Sequence, residues 1–204
     1  MSDSYSQYGE DKIIAEIFEK INQTKFRLLD IGAWDPIEKS NSRLLIERGW
    51  AAVLIEPSPT PLRNLINAYG QHGSREDIIV VAAAVGLEPG MVRMAITDDA
   101  VSTSQPEVEE LWKEKGGYLG HAWFPVITLK DIFNQFGGPF DFVNIDAEGL
   151  SVELAIEYLK MEGFPRVMCV EHDNRIVELS QAAQARGYNV RHTNGTNLIL
   201  EHVR

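Results

Sequence analysis

The sequence predicts an α/β fold: a doubly wound, mostly parallel sheet of about seven strands, with helices on both faces and a C-terminal antiparallel hairpin. Three observations carry that expectation. Short apolar runs alternate with helix-period segments along nearly the whole chain, as in repeated βαβ units. The clearest unit, Phe26 to Glu56, joins two apolar runs through a glycine turn and a helix with a capped start. At the other end, Tyr188 to His192 and Asn197 to His202 flank Asn194-Gly195, a hairpin signature.

In the first unit, Phe26, Leu28, Leu29 and Ile31 read as a strand buried on both faces, with Ala51 to Ile55 as the next strand. Asp30, Gly32, Ala33 and Asp35 fall where the first strand gives way to its loop, and Glu56 and Pro57 follow the second. Ligands of open α/β sheets bind outside the carboxyl ends of the strands. An acid about 20 residues past the glycine turn is placed to accept hydrogen bonds from ribose hydroxyls, so Glu56 is the expected ribose partner of an adenosine-type cofactor. A dinucleotide site carries G-x-G-x-x-G; the turn here, Gly32-Ala33-Trp34-Asp35-Pro36, has one glycine and lies between Asp30 and Asp35. Carboxylates repel a pyrophosphate and favour the sulfonium and ammonium of S-adenosylmethionine. The expected cofactor is therefore S-adenosylmethionine rather than NAD. The plainer alternative is a tight turn followed by a solvated loop acid.

The chain's 204 residues suit one domain, and 44% hydrophobic with 24% charged residues is an ordinary globular composition. A formal net charge of −11 argues against nucleic-acid and anionic-membrane partners. No apolar run approaches the ~20 residues of a membrane span, and MSDSYSQYGED lacks the regions of a signal peptide. The lone Cys169 lies in an apolar run, which suggests a buried structural thiol in a reducing, cytoplasmic setting.

Before the first strand, Ile13, Ile14, Ile17, Phe18 and Ile21 mark an amphipathic helix within an N-terminal segment, residues 1–25. Gln7, Glu10 and Asp11 then belong either to a helix entry or to a polar segment folded over the cleft. Pro59 to Tyr69 is a helix with proline in its first turn. Ile78 to Val85 reads as one buried strand, whose Ala82, Ala83 and Ala84 would either admit a flat ring such as adenine or only give close helix packing. Met91 to Thr97 alternates like another strand. Residues 98–125 form a long polar excursion with a short helix, Glu107 to Lys115, and the aromatics Trp112, Tyr118, Trp123 and Phe124; an ordered lid is expected. Thr128 to Phe136 is a capped helix, Phe140 to Asp146 a strand, and Ser151 to Met161 a helix with Ser151 as N-cap. Arg166 to Glu171 is a strand and Asn174 to Arg186 its helix, closed by Gly187. That order matches the Rossmann-like architecture of class I methyltransferases, although a fold does not fix a function.

Two strand ends carry acid clusters: Asp146-Ala147-Glu148-Gly149 and Glu171-His172-Asp173. Neighbouring parallel strands would bring Asp146, Glu148, Glu171 and His172 to the reacting methyl. A carboxylate raised in pKa by its neighbours, or His172, could take a proton from an acceptor hydroxyl. The same groups could instead hold a divalent metal such as magnesium or calcium, or merely accept hydrogen bonds from loop amides. His121 is an accessory candidate.

Six segments in order, Ser6–Asp11, Asp30–Asp35, Ser40–Ser42, Gly49–Pro57, Thr128–Leu129 and Asn144–Gly149, give a more specific pattern. With them the chain resembles the FkbM family of S-adenosylmethionine-dependent methyltransferases over nearly its full length. The resemblance implies O-methylation of a hydroxyl on a sugar, glycan or polyketide-like small molecule. It implies that Asp30, Gly32, Ala33 and Asn41 serve the cofactor, Glu56 its ribose, and Asp146 and Glu148 the reaction centre. It also moves Gln7 and Asp11 from helix entry to the cleft. Two positions depart from the family: Pro36 replaces its usual glycine, and Asn144 its usual lysine. The rival expectations are an NAD-dependent sugar oxidoreductase and a non-catalytic domain that binds a cofactor or a protein.

Overall fold

The computed structural model describes residues 4–70, 77–97 and 106–203. The chain begins with α1 (Glu10–Glu19), β1 (Arg27–Ile31), α2 (Arg43–Glu47), β2 (Ala51–Ile55), α3 (Pro59–Tyr69) and β3 (Ile78–Val81). There follow β4 (Ala84–Val85), β5 (Gly90–Thr97), α4 (Pro106–Lys115), β6 (Tyr118–Ile127) and α5 (Leu129–Phe136). The last part comprises β7 (Phe142–Ile145), α6 (Ser151–Tyr158), β8 (Val167–Glu171), α7 (Ile176–Gln184), β9 (Tyr188–Thr193) and β10 (Asn197–His202).

Seven strands form the main sheet in the order β3-β2-β1-β7-β8-β10-β9. The first five are parallel, while β10 runs antiparallel to both β8 and β9. This is the mostly parallel, Rossmann-like sheet with a terminal hairpin that the sequence led us to expect. From β1 the chain winds outward to β2 and β3, then returns to place β7 on the other side of β1. The switch point of the sheet therefore lies between β1 and β7.

Strand alternation sorts the core into two layers. Leu28, Leu54, Phe142, Cys169 and Ile199 pack with Ile14, Phe18, Leu45 and Leu65 of α1 to α3. Leu29, Val53, Val143, Met168 and Leu198 pack with Ile132, Val152, Ala155 and Leu179 of α5 to α7. Each such side chain contributes about 1.5–3 kcal/mol on full burial, which is why apolar runs alone located these strands. Phe18, Phe26 and Trp50 close the amino end of the first layer, their ring centroids 4.6 to 5.2 Å apart. Among the described residues, no helix is long and apolar enough to cross a membrane.

Three expectations need correction. The run Ile78 to Val85 is not one strand: β3 stays in the main sheet, the chain turns at Ala82-Ala83, and β4 joins a second sheet of order β4-β6-β5. The Met91–Thr97 strand, β5, lies in that second sheet. The region read as a lid is largely regular structure, since β6 pairs antiparallel with β5 from Tyr118 to Val126. Gly120 and Pro125 obscured that strand in the sequence; at Pro125 the missing N–H is tolerated because β4 pairs only with Val126 and Ile127. The start of the expected lid, residues 98–105, and the Trp112 side chain lie outside the described residues. Lastly, Ser151 opens α6 from inside rather than capping it: its hydroxyl accepts from the Ala147 amide at 2.8 Å and donates to Glu171 at 3.5 Å. Thr128 does cap α5, in a reciprocal box with Asp131.

Candidate active site

The carboxyl ends of β1, β2, β7 and β8 open on one cleft of about 850 Å³. Its floor is the glycine turn. Gly32, at φ 77°, lies so close to the end of β7 that a Cβ would sit 1.8 Å from the Asp146 carbonyl oxygen. Only glycine allows that approach, and it brings the two strand ends at the switch point together. The amides of Gly32 and Ala33 both donate to the Ile55 carbonyl, at 3.0 and 3.1 Å, and the Asp146 amide donates to Ile31 at 2.9 Å. Three loops are thereby tied to one another by backbone alone.

Glu56 ends β2 and is 5% exposed. Its carboxylate accepts from the Trp34 amide at 3.1 Å and the Ser58 amide at 2.7 Å, so it holds the glycine loop while lining the cleft. Burial raises its pKa against those hydrogen bonds, and the charge of Asp30 adds to the rise. Asp30 is likewise raised by burial, opposed by hydrogen bonds from Ser42 and Asn144. Asn144 takes the place of the lysine expected from the family pattern. Its amide nitrogen donates to Asp30 at 2.8 Å, and its oxygen accepts from Asn41 at 3.0 Å. The side chain of this residue thus bridges Asp30 and Asn41. The relay leaves the Asn41 side-chain oxygen buried without a partner on the cleft wall.

The β7–β8 side of the cleft is carboxyl-rich. Asp146 and Glu171 hydrogen bond to each other, and burial together with the Glu171 charge pushes Asp146 well up; burial also raises Glu171. Glu148 stands at the mouth with φ 40°. Desolvation by the cleft walls, then the charges of Glu171, Asp173 and Glu56, raise its carboxyl to about 7. Solvent reaching it through the mouth screens the charge part of that rise. Asp173 is raised by burial and by Glu153, with Arg175 and His172 opposing. Five described non-glycine residues have left-handed backbones, and four of them, Trp34, Lys39, Glu148 and Asp173, line this cleft. Strained backbone concentrates at functional sites, and here it marks the same place as the chemistry.

Most sequence-derived candidates line the cleft: Gln7, Asp30, Gly32, Ala33, Asn41 and Glu56, with Pro57, Ala83, Ala84, Asp146, Glu148 and Glu171. Three do not. Asp11 is fully buried and holds the N-terminal segment, accepting from Ser4, Ser6 and the Tyr5 amide at 2.6 to 2.8 Å. Asp35 caps its own turn by accepting from the Ile37 and Glu38 amides. His172 accepts from the Asn174 amide at Nδ1, and its Nε2 lies 3.1 Å from the Asn194 carbonyl, which needs a proton there. Both ring nitrogens are occupied, so His172 has no lone pair to offer as a base or to a metal. Among the described residues no group of three or more His, Cys, Asp or Glu side chains converges as a metal site. His121 is also engaged elsewhere, between Tyr118 and Arg93 of the second sheet and Glu109 of α4.

Sequence reasoning missed Trp34, Lys39, Asp173 and Arg175 on the wall, along with Val92, Met94 and Val126 from the second sheet. The signal for Asp173 was present, since it follows Glu171-His172 directly. The second-sheet residues carried none, because the pairing of β5 with β6 spans a segment read as a lid. Gln7 reaches the cleft because Glu10, fully buried, accepts from Asn194 and Asn197 at 2.8 Å each and from the Tyr8 amide. Burial alone would raise Glu10, but those hydrogen bonds hold it low.

No family model matches this chain, and no curated protein does. Similar solved structures include a precorrin-6y C5,15-methyltransferase from Geobacter metallireducens, 13% identical over 98% of this chain and 90% of that one, TM-score 0.48. A TehB-like SAM-dependent methyltransferase from Corynebacterium glutamicum is 9% identical over 97% and 89%, TM-score 0.46. A candidate tRNA (m1A22) methyltransferase from Streptococcus pneumoniae is 16% identical over 94% and 71%, TM-score 0.48. These likenesses are distant, and the strand order and the chemistry of the cleft carry the reading of this chain.

Proposed function

We propose that this chain is an S-adenosylmethionine-dependent O-methyltransferase of the FkbM type, acting on a hydroxyl of a sugar, glycan or related small molecule. The observation that carries the reading is the charge of the cleft at the switch point. Six carboxyl side chains line it, Asp30, Glu56, Asp146, Glu148, Glu171 and Asp173, against two cations. Both cations are engaged: Lys39 lies over the Trp34 ring at 5.4 Å, and Arg175 pairs with Glu153 and Glu178. A pyrophosphate here would face Asp30 and Glu56 across a turn with one glycine, which disfavours NAD. A sulfonium nucleoside fits the same wall. The volume exceeds what an adenosine-sized ligand fills, leaving space for an acceptor. Five of the six family-like segments contribute to the cleft; Thr128–Leu129 instead caps α5.

In this reading Glu56 accepts from the ribose hydroxyls with the lone pairs its two amide donors leave free. Gly32 and Ala33 keep the floor flat beneath the nucleoside, and Asp30, held by Asn144, meets the amino-acid end. When bound, S-adenosylmethionine supplies a methyl group on a sulfonium, and loss of that methyl leaves a neutral thioether. Glu148 takes the proton released from the acceptor hydroxyl, its carboxyl being tuned near neutrality. Asp146 and Glu171, hydrogen bonded to each other, orient the acceptor and Glu148. The buried Cys169 suits a reducing, cytoplasmic compartment. The test is methyl transfer from radiolabelled S-adenosylmethionine to a panel of hydroxylated sugars. Labelled ether product supports the reading, and binding without transfer to any acceptor would favour a non-catalytic domain.

A further inference from the structure

We propose that the acceptor is a hydroxylated amine bound as its ammonium ion, with the charge seated against Asp173 and Glu171 and a hydroxyl toward Glu148. The inference rests on the methyltransferase reading and sharpens its substrate class. The β1–β2 half of the cleft suffices for a nucleoside, yet the β7–β8 half carries four further carboxyls, Asp146, Glu148, Glu171 and Asp173. These four carboxyls face Arg175, which is already paired with Glu153 and Glu178, so this half is rich in acceptors and poor in donors.

The unmet hydrogen-bonding capacity points the same way. Asn41, 8% exposed, presents a side-chain oxygen without a partner, and Asp173 holds a buried Oδ2 without one. Both are acceptors, and both residues line the cleft. Among the described residues the wall supplies no free cation to meet them, since Arg175 is held by Glu153 and Glu178, and Lys39 lies over Trp34. Glu148 and Asp173 are also kept in left-handed backbone, at φ 40° and 46°, which turns their loops into the cleft at a conformational cost. A ligand that satisfies this wall brings donors and positive charge. Anionic acceptors such as phosphosugars or uronates are repelled, and a neutral polyol leaves the desolvated charge uncompensated. An ammonium supplies three donors and the charge together.

The test starts from binding of S-adenosylhomocysteine to the whole chain, measured by calorimetry; failure there removes the methyltransferase reading itself. The loaded protein is then titrated with glucosamine, N-acetylglucosamine and glucuronate. Glucosamine is expected to bind at least about tenfold more tightly than the other two, the scale of one partly buried charge pair. The variant Asp173→Asn, which tolerates left-handed backbone at least as well as Asp, should abolish that preference. Its S-adenosylhomocysteine affinity and melting temperature report that it folds. Equal binding of the three probes, no binding of glucosamine, or a preference that survives Asp173→Asn would overturn the proposal.

Discussion

Replacing Gly32 with alanine drives a methyl group into the backbone of the neighbouring strand end. An ideal Cβ there lies 1.8 Å from the Asp146 carbonyl oxygen and 2.9 Å from its carbon, and no side-chain rotation can relieve a clash with backbone. Three costs add. Left-handed backbone, φ 77°, costs an L-residue about 1–2 kcal/mol. Shifting the packed strand ends apart costs about 1–3 kcal/mol more. Weakening the 2.9 Å bond from the Asp146 amide to Ile31 contributes about 1 kcal/mol. A total of about 3–6 kcal/mol should lower the melting temperature by roughly 9–18 °C for a chain of this size, at about 3 °C per kcal/mol. Gly49 is the internal control: its φ is 96°, but nothing lies within 4 Å of its Cβ position. Gly49→Ala should therefore show only the backbone cost, about 3–6 °C. Thermal melts of the two variants, with S-adenosylhomocysteine titrations of each, make the comparison. If Gly32→Ala melts within about 2 °C of Gly49→Ala and binds the ligand as the parent does, the close approach at the switch point is not what organises the site.

Glu148→Gln should cut turnover about a hundredfold and leave S-adenosylhomocysteine affinity within a few-fold, as expected for loss of a general base. In the parent, kcat/KM should rise with pH through a pKa of about 7, because the base acts as carboxylate; that limb should vanish in the variant, and a rate left unchanged would remove Glu148 from the role. Stability should depend on pH in the direction set by the raised carboxyls of Asp30, Glu56, Asp146, Glu148 and Glu171. Each binds its proton more tightly folded than unfolded, so its contribution is present below the unfolded carboxyl value and lost as pH rises through the folded one. The melting temperature should thus fall between about pH 5 and pH 8, and saturating S-adenosylmethionine should narrow the gap; a melting temperature that rises over this range would contradict the electrostatics of the cleft.

The layers of the fold were legible because parallel strands buried on both faces are continuous apolar runs, and VMC within Val167–Glu171 can be little else. The glycine turn was equally legible, since one glycine after Asp30-Ile31 has to accommodate a sharp exit. The second sheet was not: Gly120 and Pro125 interrupt β6, and its pairing with β5 spans twenty or more intervening positions that no local pattern reports. Acid positions were readable but their occupations were not. Asp11, Asp35 and Glu10 look alike in sequence, yet each accepts a different set of donors that only the folded chain brings together. His172 beside two acids reads as a base until its two nitrogens are seen to be spent on backbone.

The central claim is electrostatic: an acid-lined, glycine-poor cleft at the switch point selects a cationic sulfur nucleoside over a pyrophosphate. Parallel calorimetric titrations with S-adenosylmethionine and NAD test it most directly. Saturable binding of the nucleoside at micromolar order, with no heat from NAD, is the result the structure requires. Saturable NAD binding with an inert nucleoside would contradict it.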